Sequence, residues 1–431
     1  MISIGVDIGT TTISGVALDI GEKRVLRAVT IPNGFEISGS NPLHRMQDGE
    51  RIARQAADLV GELSREYGGE CIGVTGQMHG ILYVNGQGKA VTPLYTWQDS
   101  CGDAQFQQGM TFCQWMEEKT GYLLASGFGS VTHFYLQQTG AQKPEAAYLC
   151  TIGDYVAMRL TGAVQPVIHR SNGASLGLYD FHRDSFDEKA LDALGLDPGM
   201  FPEIGSCTMG ETAGGIPVAV AIGDNQASFL GSVQDPRRQV LMNIGTGGQI
   251  SCWAKTAVPG DLYEIRPYLD DGFLLVASSL CGGRAYAALE GFFRQVLQMA
   301  GASCESLYAA MERAARTLPN GGSPLIVDTR FCGTREHPER RGSIQGIGLD
   351  NLTPGHFIDG VLRGMAGELL PAYREFCRTR TFSELTASGN GVRQNRYFQQ
   401  VLQQEFGLPL TIAPFEEEAA CGAALYAAGI R

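Results

Sequence analysis

Apolar and polar positions alternate from the first residues. Ile2, Ile4, Val6 and Ile8 fall on one side of an extended segment, which predicts a strand that ends in a turn at Gly9 to Thr12. The alternation resumes through Ile13, Val16 and Leu18 as a second strand, and a third is predicted after Gly21. The period then changes: between Asp48 and Tyr67 the apolar residues Ile52, Ala56, Leu59, Val60 and Leu63 recur at helical spacing, with Asp48 placed to cap the N-terminus. Cys71 to Thr75 reads as strand, and so does Ile81 to Val84 before an Asn85-Gly86 turn. Further on, Ile216 to Ile222 is a continuous apolar run of the kind buried on both faces, and it ends in Gly223-Asp224-Asn225-Gln226 ahead of a small-residue helix.

After a polar stretch with Pro236 the chain repeats its opening. Val6-Asp7-Ile8-Gly9-Thr10 is answered by Met242-Asn243-Ile244-Gly245-Thr246, each string a strand running into a glycine turn. A hairpin is predicted at Asp270-Asp271-Gly272. Helices follow with apolar faces at Leu289, Phe292, Phe293, Val296 and Leu297, and at Ile358, Val361, Leu362 and Met365. The pattern predicts an internally duplicated α/β chain, one domain over 1–233 and a second over 234–431, with a cleft for chemistry.

A length of 431 residues agrees with two cores rather than one. The net charge of -12, with no basic run, argues against a nucleic-acid partner, and an anionic cofactor would have to be held by local amides and a metal ion. No apolar run approaches a membrane span, so no membrane partner is expected, and the opening residues read as strand rather than as a signal segment. The 11 cysteines are scattered without metal-ligand spacing, which fits reduced thiols in a cytoplasm. Monomer and homodimer both remain open.

Several strings carry candidate chemistry. The turns Gly9-Thr10-Thr11-Thr12 and Gly245-Thr246-Gly247-Gly248 can present backbone N–H groups to phosphate oxygens, although neither is a P-loop and either alone could be a plain hairpin turn. Asp7, beside the first turn, is a candidate magnesium ligand or a turn carboxylate. Asp224 ends a buried strand before a helix, where it could accept a hydroxyl proton, bind metal or simply cap the helix. Gln77, Met78 and His79, between Gly76 and Gly80, suit the directional hydrogen bonding of a polyol, and Trp97 next to Asp99 offers a flat apolar face that could hold a sugar or simply sit half-buried in a core. The loop Gly389-Asn390-Gly391, with Asn395 after it, has glycines that let a planar base approach the backbone.

Taken together, the strings resemble the FGGY family of carbohydrate kinases, from Met1 to the last helix. Gly76-Gln77-Met78-His79-Gly80 is similar to members that act on xylulose and sedoheptulose. Thr96-Trp97-Gln98-Asp99, Gly223-Asp224-Asn225-Gln226-Ala227-Ser228, Gly333-Thr334-Arg335-Glu336-His337-Pro338 and Glu418-Ala419-Ala420-Cys421-Gly422-Ala423-Ala424 look most like the members that act on sedoheptulose. The resemblance implies a duplicated actin-like, ribonuclease H-like ATPase fold, a small sugar as substrate, and ATP with Mg2+ as cofactors. It implies that Asp224 is the catalytic base, that His79 and Asn225 contact the sugar, and that Gly245, Thr246 and the 389–391 loop contact ATP. Asn390 stands where the family usually has glycine, which a left-handed conformation would tolerate.

Overall fold

The structure is a computed structural model and describes residues 1–206, 208–318, 324–334 and 337–430. They form two compact units. The first comprises Met1–Gly231, Arg266–Gly272 and Glu417–Arg431, and the second Ser232–Ile265 and Phe273–Glu416. Arg335 and Glu336 of the glycine-histidine string lie outside the described residues.

In the first unit, β1 (Ile2–Ile8), β2 (Thr12–Asp19) and β3 (Arg24–Pro32) form an antiparallel meander. Helix α1 (Gly49–Tyr67) crosses over to β4 (Cys71–Gly76), which lies parallel to β1 on its free side. The α1 start is set as its sequence suggests, because the Asp48 carboxylate accepts from Arg51 N at 3.0 Å. The sheet is extended beyond β4 by β5 (Thr208–Glu211) and β6 (Pro217–Ala219).

The apolar run before Asp224 is not one strand. It pairs with β4 first through β6, Val218 to Ile72, and again through β7 (Ile222–Gly223), Ile222 to Thr75. One more residue on this side than on β4 has to be absorbed between those pairs, so the ladder breaks and re-forms. Helix α2 (Asp224–Ser232) starts directly from β7.

The second unit repeats the plan. Strands β8 (Gln239–Ile244), β9 (Gly248–Ala254), β10 (Glu264–Pro267) and β11 (Phe273–Ser279) are joined in the order β10-β11-β9-β8, followed by β12 (Glu384–Ser388) and β13 (Leu410–Ile412). The β8–β9–β11 meander is antiparallel and β12 is parallel to β8, the same relation that β4 bears to β1. The duplication expected from the repeated string is therefore present in the topology.

Helix α3 (Gly283–Met299) departs from expectation. Leu289 and Phe293 pack on the core as expected, but Phe292 and Val296 are exposed, and the buried residues of the helix are Ala285, Tyr286 and Glu290, the last held by bonds from Arg294 and Leu307 N. Helix α4 (Pro354–Phe376) buries Ile358, Val361, Leu362 and Met365 as its period indicates.

The final helix, α6 (Glu418–Ala427), follows α5 (Arg396–Phe406) in the chain and packs on β1 and β4. Glycines make this possible. A Cβ on Gly5 would sit 1.9 Å from the Ala420 carbonyl oxygen, and one on Gly422 1.8 Å from that of Ala227. Backbone thus lies on backbone across β1, α6 and α2, a spacing only glycine permits.

Candidate active site

Asp224 is the first residue of α2, and the strand end before it is tied down from three sides. Thr75 Oγ1 donates to the Ile222 carbonyl (2.8 Å), Asn172 Nδ2 to that of Ala221 (2.9 Å), and Gly223 N to Ser171 Oγ (2.9 Å). The Asp224 carboxylate accepts from Asn225 Nδ2 at 3.0 Å, and Asn225 Oδ1 in turn accepts from Arg266, on β10. Burial raises the Asp224 carboxyl above its usual range, while the Arg266 charge and the Asn225 hydrogen bonds oppose the rise. No local pattern in the sequence singles out Arg266, which arrives from 41 residues away.

Asp7 belongs to a polar row across the sheet, Thr75–Asp7–Ser14–Thr30 in register on β4, β1, β2 and β3. Thr30 Oγ1 donates to Glu417 Oε1 at 3.0 Å, so its 2.9 Å contact with Ser14 is one in which Ser14 donates. Glu417 occupies the N-cap position of α6 without a side-chain capping bond, and was not singled out by sequence, although it lies in the acidic run Glu416 to Glu418. Burial, then the neighbouring Asp224 and Glu417 carboxylates, push Asp7 up to about 7. Its Oδ1 is buried without a hydrogen-bond partner.

An orphaned carboxylate oxygen on Asp7, with two further acids raising that carboxyl, is what a hard cation would relieve, so the residues fit magnesium. Their oxygens do not converge as a set: among the described residues only His44, Asp99 and Cys101 bring ligand atoms within 4.8 Å of one another. An ion held by Asp7 and Asp224 would keep several waters.

Gln77, Met78 and His79 follow β4 directly. Gln77 donates to Gln47 Oε1 (2.9 Å) and accepts from Thr10 Oγ1 (3.4 Å), which itself accepts from Trp97 Nε1 (2.9 Å). Trp97 is 47% exposed, so its ring face is open while its N–H is fixed. Met78 packs against Gly223, next to Asp224, where a Cβ would meet its sulfur at 2.8 Å. His79 has φ +73°, a strained setting for a non-glycine residue that no sequence signal announces. Its Nδ1 donates to the Ser175 carbonyl (2.7 Å), and its ring stacks on Phe128 with centroids 4.8 Å apart.

Asp99 faces the other way. Its Oδ2 accepts from His44 (2.9 Å) and Arg45 N (3.1 Å), its Oδ1 from Cys101 N (3.0 Å), and it is buried. It shapes the turn that carries Trp97. A cavity of about 310 Å³ opens beside this cluster, lined by Thr10, Gln47, Thr96 and Gln98 with the 36–46 loop, but neither Asp224 nor His79 reaches it. Chemistry at Asp224 and this cavity are therefore separate features.

The first glycine turn has its carbonyls fixed. Asn33 Nδ2 donates to Gly9 O, Gln47 Nε2 to Thr10 O and Asn33 N to Thr11 O, each at 2.8 Å. Because a trans peptide points N–H opposite to C=O, the N–H groups of Thr10, Thr11 and Thr12 are turned the other way. The second turn follows the same logic: Gly283 N and Arg284 N donate to the carbonyls of Gly245 and Thr246 (2.9 and 3.1 Å), turning the N–H groups of Thr246 and Gly247 outward.

The 389–391 loop leaves β12 next to the end of β8. Gly389 has φ +85°, and a Cβ there would meet Ile244 O at 2.4 Å. Asn390 is not left-handed, contrary to expectation; it opens a short helix, and Gly389 alone takes the positive φ. Asn395 caps α5 through Phe398 N at 2.9 Å.

Residues 2–231 match the model for the FGGY family of carbohydrate kinases, N-terminal domain, and residues 250–429 that for its C-terminal domain. The chain belongs to the FGGY family of carbohydrate kinases. It is 27% identical to the sedoheptulokinase of Mus musculus over 98% of this chain and 96% of that protein. Its fold is similar to xylulose kinase from Rhodospirillum rubrum (TM-score 0.84, 21% identity, 99% of this chain and 89% of the other). It is also similar to Plasmodium falciparum glycerol kinase solved with ADP (TM-score 0.80, 18% identity, 99% and 88%). As an FGGY kinase the chain is a carbohydrate kinase of actin-like ATPase fold, acting on a small sugar. Among the described residues no helix is long and apolar enough to cross a membrane.

Proposed function

We propose that this FGGY kinase transfers the terminal phosphoryl group of ATP to a primary hydroxyl of a ketose, with sedoheptulose as the preferred sugar. The observation that carries the reading is Asp224, a carboxylate raised by burial on a braced strand end, beside Asp7 whose buried oxygen has no partner. Phosphoryl transfer asks the protein mainly for position and charge. Asp224 orients the hydroxyl and accepts its proton; Asn225 and Arg266 keep its carboxylate ionisable. Asp7 and Asp224 would hold magnesium, which supplies the positive charge that the phosphate oxygens need.

Gln77, Met78, His79, Trp97 and Asn225 are assigned to the sugar, with Asp99 acting through the Trp97 turn. Thr10, Thr11 and Thr12 of the first unit, and Gly245, Thr246, Gly247, Gly389, Asn390, Gly391 and Asn395 of the second, are assigned to the nucleotide. The scattered cysteines, without metal-ligand spacing, support a cytoplasmic setting for the reaction. The similarity to sedoheptulokinase at 27% identity, against 24% to a xylulose kinase over as much of the chain, supports sedoheptulose over xylulose. Sugar-dependent ADP release from magnesium-ATP across sedoheptulose, xylulose, ribulose, fructose and glycerol tests this. The highest kcat/KM is expected with sedoheptulose; a higher value with xylulose would replace it as substrate, and ADP release with none of the five would overturn the ketose reading.

Removing the Arg266 charge takes away what stabilises the ionised Asp224. In Arg266→Gln the acidic limb of the kcat/KM profile is expected to move to higher pH. An unmoved limb would detach Arg266 from the base.

Asp7 links pH to stability in the metal-free protein. Its folded value of about 7 lies above the ordinary aspartate value of 3.8, so the folded state holds the extra proton. The stability this confers is complete below about pH 4 and is lost as pH rises through about 7. Urea midpoints of the wild type without magnesium are expected to fall between about pH 5 and about pH 8, and less steeply in Asp7→Asn. Asp7→Asn should also need more magnesium for half-maximal rate. Identical pH slopes in the two proteins would remove Asp7 from the linkage.

A further inference from the structure

The second unit carries two thiols that the kinase reaction does not use. Cys281, between β11 and α3, is buried; Cys332, in the loop after the strand Ile326–Asp328, is half-buried. The two sulfurs are neighbours, each acting on the proton of the other. Arg284, in the first turn of α3, donates Nη1 to Cys332 Sγ at 3.6 Å.

We propose that Cys281 and Cys332 form a peroxide-sensitive site in which Cys332 attacks and Cys281 resolves to a disulfide. Cys332 is the more accessible of the two and has the guanidinium against its sulfur, the setting that favours thiolate. Consistently, Arg284 and then Cys281 hold the Cys332 thiol below its ordinary range, whereas burial pushes Cys281 up. In the first step the Cys332 thiolate attacks a peroxide oxygen, the O–O bond breaks and hydroxide leaves as water, giving a sulfenic acid. In the second the Cys281 sulfur, losing its proton, attacks the Cys332 sulfur; the S–O bond breaks, a second water leaves and S–S forms. The two thiols together supply the two electrons that reduce one peroxide.

The site is wired to the second glycine turn. Gly282, next to Cys281, lies so close to Gly247 that a Cβ on it would be 2.3 Å from the Gly247 carbonyl, and Gly283 and Arg284 donate to the carbonyls of Gly245 and Thr246. Pulling Cys281 toward the 331–333 loop therefore strains the turn. Resting on the nucleotide reading above, closure of the disulfide weakens ADP binding by about tenfold.

Wild-type protein treated with one equivalent of hydrogen peroxide, alkylated and digested, tests the site without any variant. A disulfide-linked pair of peptides bearing Cys281 and Cys332, reversed by dithiothreitol, is expected. In Cys281→Ser, Cys332 should stop at a sulfenic acid that dimedone traps. Oxidation confined to the exposed Cys304 and Cys377, or sulfinic acid on Cys332 without a Cys281 link, would overturn the proposal. Calorimetry of ADP on reduced and oxidised protein reads the coupling. Equal affinities would overturn the link to the turn, whereas failure of the reduced protein to bind ADP would count against the nucleotide assignment and leave the disulfide map to decide the site.

Discussion

Asp224→Asn is expected to lower kcat by at least ~100-fold, the scale for loss of a positioned base, while ADP still binds. The amide keeps the shape of the side chain and can still meet Asn225, and the chain around it stays braced by Thr75, Asn172 and Ser171. What it cannot do is accept the proton of the attacking hydroxyl. A fold change would be a poor explanation of any loss, because the substitution removes a carboxylate whose pKa is raised by burial and so relieves repulsion with Asp7. The check is kcat from coupled ADP release together with the ADP dissociation constant by calorimetry. Near-normal turnover would place the base elsewhere.

Gly73→Ala is expected to destabilise the protein by at least ~3 kcal/mol, at the upper end of overpacking effects, because the obstacle is backbone rather than a movable side chain. On β4 the new Cβ would lie 1.9 Å from the carbonyl oxygen of Ala423 in α6 and 2.3 Å from its carbonyl carbon. Either the helix backs away or the strand does. Both movements strain the contact of Gly422 with Ala227, and a shift of α6 carries Glu417 from its 3.0 Å bond with Thr30, so the acidic cluster loosens with the fold. Gly367→Ala is the control: exposed on α4 with nothing within 4 Å of its Cβ position, it should gain about 0.5–1 kcal/mol from helix propensity. Urea unfolding of the two variants separates them, and a Gly73→Ala midpoint within error of wild type would show that α6 is not held by this packing.

Period and punctuation were enough to find most elements of both sheets. The repeated strand-and-turn string located β1 and β8, and their register with β2 and β9 follows from short turns that leave few alternatives. The carboxylates at strand ends, Asp7 and Asp224, stand out for the same reason: a charged residue closing an apolar run is visible along the chain. The glycine loops were equally visible as loops, although the left-handed residue proved to be Gly389 rather than Asn390.

The remainder depends on contacts between residues remote in sequence. Arg266 meets Asn225 and Glu417 meets Thr30 only because a hairpin and the last helix join the first unit. Asp99 looked like a sugar ligand beside Trp97, yet its oxygens turn inward to His44 and two amides. The strain at His79 comes from the Ser175 carbonyl and the Phe128 ring that receive its side chain. Alternation and helical period are written in neighbouring residues because they arise from backbone geometry, whereas burial, charge coupling and side-chain direction are set by which distant segments pack, and one chain read in order carries no distance between them.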